Sequence, residues 1–257
     1  MRFLDILMLM GVVAVLYWFS RKGKKRATQT EETAFTPSNK IDVTSSSLFH
    51  FPQAPIGAKP YYIVIDTETV DWNPPVEEVG GEEAPLGTIV PSYLPPIVQL
   101  SWTLLDERAE VIREESYILK QAVSISPIAE QIHGISNEMM CQKGIPPKEV
   151  YQRFLHDLSL CPTLVAHNLD FHLSALQQDF VANDVIAPDW KAYNLFCTML
   201  QGANFLKNQY ALTNNTILKL GELYGMLYFG RRDLVMTCKE KSRRDILLVI
   251  ACLRFFL

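Results

Sequence analysis

The chain has 257 residues, with 24 Lys and Arg against 28 Asp and Glu, a formal net charge of −4 and 48% hydrophobic residues. Six of the basic and one of the acidic residues fall within the first 26, so the remainder holds 18 basic against 27 acidic residues. An acidic remainder excludes a general nucleic-acid trap, whose non-specific affinity comes from cations that neutralise phosphates. Cys141, Cys161, Cys197, Cys238 and Cys252 form no Cys-x-x-Cys pair and no cluster with histidine, so neither a zinc site nor a disulfide framework is signalled.

The stretch Ile6–Ser20 carries no charge and is followed at once by Arg21, Lys22, Lys24, Lys25 and Arg26. As a helix, Phe3–Ser20 would span about 27 Å, close to the ~30 Å hydrocarbon core of a bilayer, with Tyr17 and Trp18 at the interface. Arg2 and Asp5 offset each other and no Ala-x-Ala-like site comes after the run, which favours an uncleaved anchor over a signal peptide. Residues 1–26 are therefore expected to form a single-pass membrane anchor. The basic flank would place the rest of the chain in the cytoplasm. Residues 27–58, without an apolar period over most of their length, are expected to be a linker, and 59–257 one domain, long enough for a sizeable core.

The domain opens with Tyr61-Tyr62-Ile63-Val64-Ile65-Asp66-Thr67-Glu68-Thr69, an apolar strand pattern ending in two carboxylates one residue apart. Side chains alternate along a strand, so Asp66 and Glu68 share a face, as hard oxygen ligands for a divalent cation would. Val70–Pro95, rich in proline, glycine and glutamate, reads as a long loop beside that pair. Strands are predicted over Ile97–Leu105 and Val111–Leu119, joined by the polar turn Asp106–Ala109. Apolar stripes at Val150, Phe154, Leu158 and at Leu173, Leu176, Phe180 predict two core-facing helices. A further strand is expected at Leu195–Thr198, and helices at Ile217–Leu227 and Ser242–Phe256. This order argues for an α/β fold, a mixed sheet with helices on its faces.

Between those elements, Thr163-Leu164-Val165-Ala166-His167-Asn168-Leu169-Asp170-Phe171-His172 pairs a short apolar run with a His-Asn turn, and Ile132-His133-Gly134-Ile135-Ser136 forms another recognisable turn. Together with Asp66-Thr67-Glu68 and Pro96–Trp102, these segments resemble the DEDD-type 3′-to-5′ exonucleases, the superfamily of ribonuclease T and the proofreading subunits. The resemblance spans about residues 60–256. It implies a ribonuclease H-like fold, two divalent cations (magnesium or manganese) and a nucleic-acid 3′ end as substrate. It also implies metal ligation by Asp66, Glu68 and Asp245, with Thr67, Thr69, His167, Asn168 and Phe171 lining the substrate site.

Two positions depart from the family pattern. His172 stands where the second motif has an aspartate that helps hold the second ion. Glu240 stands five residues before Asp245, where the third motif has its histidine base. His172 would suit manganese better than magnesium as a ligand, and Glu240 would serve as base toward water activated by a cation. A positioned base contributes typically 10²–10⁴-fold, and a lost metal partner costs a further ~10–100-fold. The expectation is a membrane-tethered exonuclease of low activity, the alternative a catalytically inactive binding or interaction module. Trp72, in the loop after the first motif, is a candidate for stacking on a terminal base. The basic run Arg231, Arg232, Lys239, Lys241, Arg243 and Arg244 reads either as a phosphate contact or as a solvated helix flank.

Overall fold

A five-stranded sheet organises the chain in the computed structural model, which describes residues 40–71, 94–210 and 217–257. Its central strand β2 (Tyr62–Thr69) is buried on both faces up to Glu68, as its unbroken apolar run requires. β3 (Ile97–Leu105) runs antiparallel to it from Tyr62↔Leu105 to Thr69↔Ile97, with a register shift between Glu68 and Thr69. β4 (Val111–Ile118) pairs antiparallel with β3. The turn between them is held by Asp106, whose Oδ1 accepts the Arg108 and Glu110 N–H groups at 2.9 Å each. On the other side β5 (Thr163–Ala166) and β6 (Asn194–Cys197) add in parallel, giving the order β4-β3-β2-β5-β6. One strand, β1 (Lys40–Asp42), precedes this sheet and pairs in parallel with β7 (Val235–Thr237) as a separate two-stranded sheet.

Helices cover both faces of the large sheet. Odd-numbered residues of β2, Ile63 and Ile65, pack with Trp102 against α3 (Pro147–Leu158) and α4 (Leu169–Ala182), through Val150, Phe154, Leu158, Leu176 and Phe180. Even-numbered Tyr62 and Val64 pack against α7 (Lys241–Phe256), through Ile246, Val249, Ile250 and Leu253. Two short helices, α1 (Pro127–His133) and α2 (Asn137–Lys143), are capped by the hydroxyls of Ser126 and Ser136, and Gly134 takes the left-handed turn between them at φ 77°. α5 (Thr198–Tyr210) follows β6 directly, and α6 (Leu220–Phe229) precedes β7.

Under the helices a charged network is built into the core. Asp157, buried on α3, accepts the Trp102 indole N–H at 2.8 Å and an Arg113 N–H at 2.5 Å. Asp179, buried on α4, accepts from the Tyr151 hydroxyl, the Ile97 N–H and the Gln121 amide. These carboxylates face inward because donors stand ready to meet them there.

The strands expected at Ile97–Leu105 and Val111–Leu119 stand within a residue of their predicted limits. The helix α5 had not been expected. Of the segment expected to be a linker, the described part folds onto the domain: β1 lies in it, and Val43 and Phe49 are buried with Tyr224, Leu248 and Cys252. The predicted membrane span, and most of the loop including Trp72, lie outside the described residues. Among the described residues no helix is long and apolar enough to cross a membrane.

Candidate metal centre

The alternation of β2 decides what each residue of its polar end can meet. Asp66 and Glu68 continue the even-numbered face and look toward α7, whose first turns carry Asp245. Ligand oxygens from the three side chains lie within 4.8 Å of one another. All three residues are buried, at 8%, 6% and 9% exposure, which is unusual for carboxylates and calls for a compensating cation. Burial, and after it the neighbouring Glu68, pushes the Asp66 carboxyl well above the ordinary carboxylate range. Burial also raises Glu68, against the opposing pull of Lys241. Asp66 Oδ2 is buried without a hydrogen-bond partner. Ser242 stands beside Asp66 and favours its charge, but its Oγ makes no aligned hydrogen bond either.

The compensating charge comes from the chain itself. Lys241 Nζ lies 2.5 Å from Glu68 Oε1 and 3.1 Å from Asp245 Oδ2, and Arg244 Nε donates to Asp245 Oδ1 at 2.8 Å. Three carboxylates thus face two side-chain cations. Burial disfavours the Lys241 ammonium, yet Asp66, Asp245 and Glu68 together hold its pKa above the usual lysine value. Neither cation had been singled out in the sequence as part of the centre. The signal was present: Lys241 precedes Asp245 by four residues, one helical turn, so the two side chains are neighbours on α7.

The odd-numbered Thr67 faces α4 instead. Its hydroxyl meets His172 Nδ1 at 2.8 Å, while His172 Nε2 lies 3.0 Å from the His167 carbonyl. A carbonyl only accepts, so Nε2 carries the proton and Nδ1 accepts from Thr67. Both nitrogens of this buried ring are engaged, and burial lowers its pKa to about 4. His167 repeats the pattern, with Nε2 3.1 Å from the Leu218 carbonyl, Nδ1 3.1 Å from Thr198 Oγ1, and burial lowering its pKa to about 4. These histidines fasten the β5–α4 turn to β2, to α5 and to the start of α6. Neither offers a free nitrogen to a metal or a substrate.

Other residues of the expected site lie around this centre. Asn168 occupies the N-cap position of α4 in the left-handed conformation (φ 61°) without capping by its side chain, and its Oδ1 is buried without a partner. Phe171 packs against the core with its ring 5.4 Å from and nearly perpendicular to His172. Thr69 donates its hydroxyl to the Asp71 carbonyl at 2.6 Å. Glu240 is the exposed residue before α7; it borders a shallow groove with Ser101, Glu114, Ser116 and Arg243, and is not among the converging ligands. The basic run is largely spent internally: Arg231 binds Asp233, Arg243 binds Glu114, and Lys241 and Arg244 serve the carboxylates. His133, at the end of α1, adds a further buried imidazole. Its Nδ1 accepts the Ile135 N–H at 3.0 Å, and desolvation foremost lowers its pKa, with Lys241 adding to the effect.

For one divalent cation the donor set fits: three hard oxygen ligands, one of them with an unsatisfied atom. Lys241 contests that position. For a second cation the fit fails, because the nitrogens of His172 are both taken and Asp170 is exposed.

A mixed sheet in this order, flanked by helices and carrying carboxylates on its central strand, fits a ribonuclease H-like fold. Solved exonuclease I structures share that fold. The zinc-bound complex of E. coli exonuclease I with single-stranded DNA superposes with a TM-score of 0.53 at 17% identity, over 77% of this chain and 40% of that one. A product-bound exonuclease I structure gives 0.54 at 16%, over 77% and 43%. An E. coli exonuclease I complex with a dT13 oligonucleotide gives 0.51 at 18%, over 77% and 40%. The chain therefore corresponds to about two fifths of those exonuclease chains. No family model and no curated protein matches the sequence.

Proposed function

We propose that the chain is a metal-dependent 3′-to-5′ exonuclease of low activity, acting on single-stranded DNA or RNA ends. The observation that carries this reading is the convergence of Asp66, Glu68 and Asp245, with one Asp66 oxygen buried and unsatisfied. Its support from the comparisons is the exonuclease I fold, seen there with single-stranded DNA and with zinc. Asp66, Glu68 and Asp245 would hold one ion, which supplies Lewis-acid activation of phosphate and water. The burial of Asp66 and Glu68 limits solvent around that position. Activity is low because three contributions are missing together: a second ion position, a histidine base, and a carboxylate cluster free of resident cations. Glu240, exposed just before α7, would accept a proton only through solvent. Tethering to a membrane, with the domain in the cytoplasm, rests on the apolar run and basic flank of residues 1–26.

Lys241 favours a second reading, in which the site binds a 3′ end without hydrolysing it. The two are separated by incubating the protein with a short single-stranded oligonucleotide and Mn²⁺ and measuring 3′-nucleotide release alongside oligonucleotide binding. Slow release in the wild type that disappears in Asp66→Ala is expected. Binding without release would establish the second reading, and neither binding nor release would remove both.

A further inference from the structure

The buried carboxylates and Lys241 carry an inference about what the site holds in the absence of metal. It rests on the reading of Asp66, Glu68 and Asp245 as a cation site, and deepens it. Lys241 Nζ reaches two of the three ligands, at 2.5 Å and 3.1 Å, so it stands where a cation shared by them would stand. Arg244 neutralises Asp245 from another side. The cluster is thereby within one charge of neutrality with no metal bound, although all three acidic residues are buried.

Without the ammonium, two carboxylates on one strand face and a third on the facing helix would repel one another where water screens them little. A divalent cation would relieve that repulsion equally well. It would have to displace an ammonium that already does so and leave that ammonium a place to go. The Lys241 side chain is 25% exposed, so it has a route to solvent. One ligand oxygen, Asp66 Oδ2, remains outside the reach of Lys241's two close contacts and has no other partner.

We propose that Lys241 is a resident cation of the carboxylate centre, competing with a divalent metal for the same position, so that the wild-type site is predominantly metal-free at ordinary metal concentrations. The chain holds its own site shut to metal and needs no ion to fold around it.

The test is Mn²⁺ binding to the full-length protein, measured by titration calorimetry and by the Mn²⁺ dependence of the melting temperature, in the wild type and in Lys241→Met. Methionine keeps an unbranched side chain of nearly the same length and removes its charge. The expected result is weak binding and no thermal shift in the wild type, with affinity for Mn²⁺ rising on the order of 100-fold in Lys241→Met, the scale on which an uncompensated buried charge is felt. Apo Lys241→Met should melt below the wild type and recover as Mn²⁺ is added. If Lys241→Met folds only when Mn²⁺ is present, the ion is replacing the ammonium and the proposal stands. Affinities within about threefold of each other would overturn it, as would a Lys241→Met protein that fails to fold with or without Mn²⁺. These readouts are independent of nucleotide release: tight Mn²⁺ binding in Lys241→Met with no hydrolysis would sink the exonuclease reading and leave the role of Lys241 intact.

Discussion

Lowering the pH should weaken the fold through His172, and its hydrogen bonds set the size of the effect. The imidazole is neutral in the folded protein, with Nε2–H donating to the His167 carbonyl and Nδ1 accepting from Thr67. A proton on Nδ1 would force the Thr67 hydroxyl to turn from donor to acceptor and would put a charge into a buried pocket. Desolvation lowers the folded pKa from 6.5 to about 4, with Lys241 and His167 disfavouring the proton and the His167 carbonyl and Asp245 favouring it. The unfolded chain therefore binds the proton first, and stability is lost as pH falls from about 6.5 toward 4. At pH 5 the loss from this one group is about 2 kcal/mol. Asp66 and Glu68 act in the opposite sense, because their raised folded pKa values add stability as the pH falls. The difference between wild type and His172→Gln isolates the histidine, since the amide can still donate to the His167 carbonyl but does not titrate. Urea melts of both proteins at pH 7 and pH 5 should show the wild type losing about 2 kcal/mol more. Equal losses, or a His172 pKa near 6.5 by NMR, would refute the buried, neutral assignment.

Three other perturbations test separate parts of the structure. Trp102→Phe removes the 2.8 Å bond to buried Asp157 and should cost about 1–3 kcal/mol in urea unfolding, whereas no loss would show that water or Arg113 fully replaces the indole. Asp66→Asn removes a carboxyl whose raised pKa marks a charge disfavoured by folding, so it should raise the melting temperature without added metal at neutral pH and abolish Mn²⁺ binding in Lys241→Met. A chain truncated to begin at Pro37 should fold, while one beginning at Leu48 loses β1 and buried Val43 and should melt roughly 4–8 °C lower; equal melting temperatures would remove β1 from the stabilising structure.

Much of the architecture was legible because long apolar elements announce themselves. The alternation of β2 already put Asp66 and Glu68 on one face, whereas Asp245 was expected there only because the resemblance to the exonucleases implied it. Parity also separated Thr67 from its neighbours, which explains why His172 meets that hydroxyl and not the carboxylates. The pairing of β1 with β7 was hidden because three-residue strands carry no periodicity and their partners are almost two hundred residues apart. Lys241 was noted only within a basic run read as a phosphate contact or a solvated flank: in Lys239-Glu240-Lys241 every side chain looks solvated, and only the approach of α7 to the end of β2 shows which one turns inward. The five-residue spacing drew attention to Glu240, which precedes the helix and remains exposed. The four-residue spacing within the helix held the side chain that matters to the charge balance.

Anomalous diffraction at the manganese edge, from crystals of the wild type and of Lys241→Met equilibrated with the same Mn²⁺ concentration, tests the central claim most directly. A single manganese is expected between Asp66, Glu68 and Asp245 in Lys241→Met. In the wild type the expected result is either no manganese there or a manganese with Lys241 Nζ withdrawn from Glu68 and Asp245. A manganese bound by the three carboxylates while Lys241 keeps both of its contacts, or one bound elsewhere in Lys241→Met, would contradict the claim.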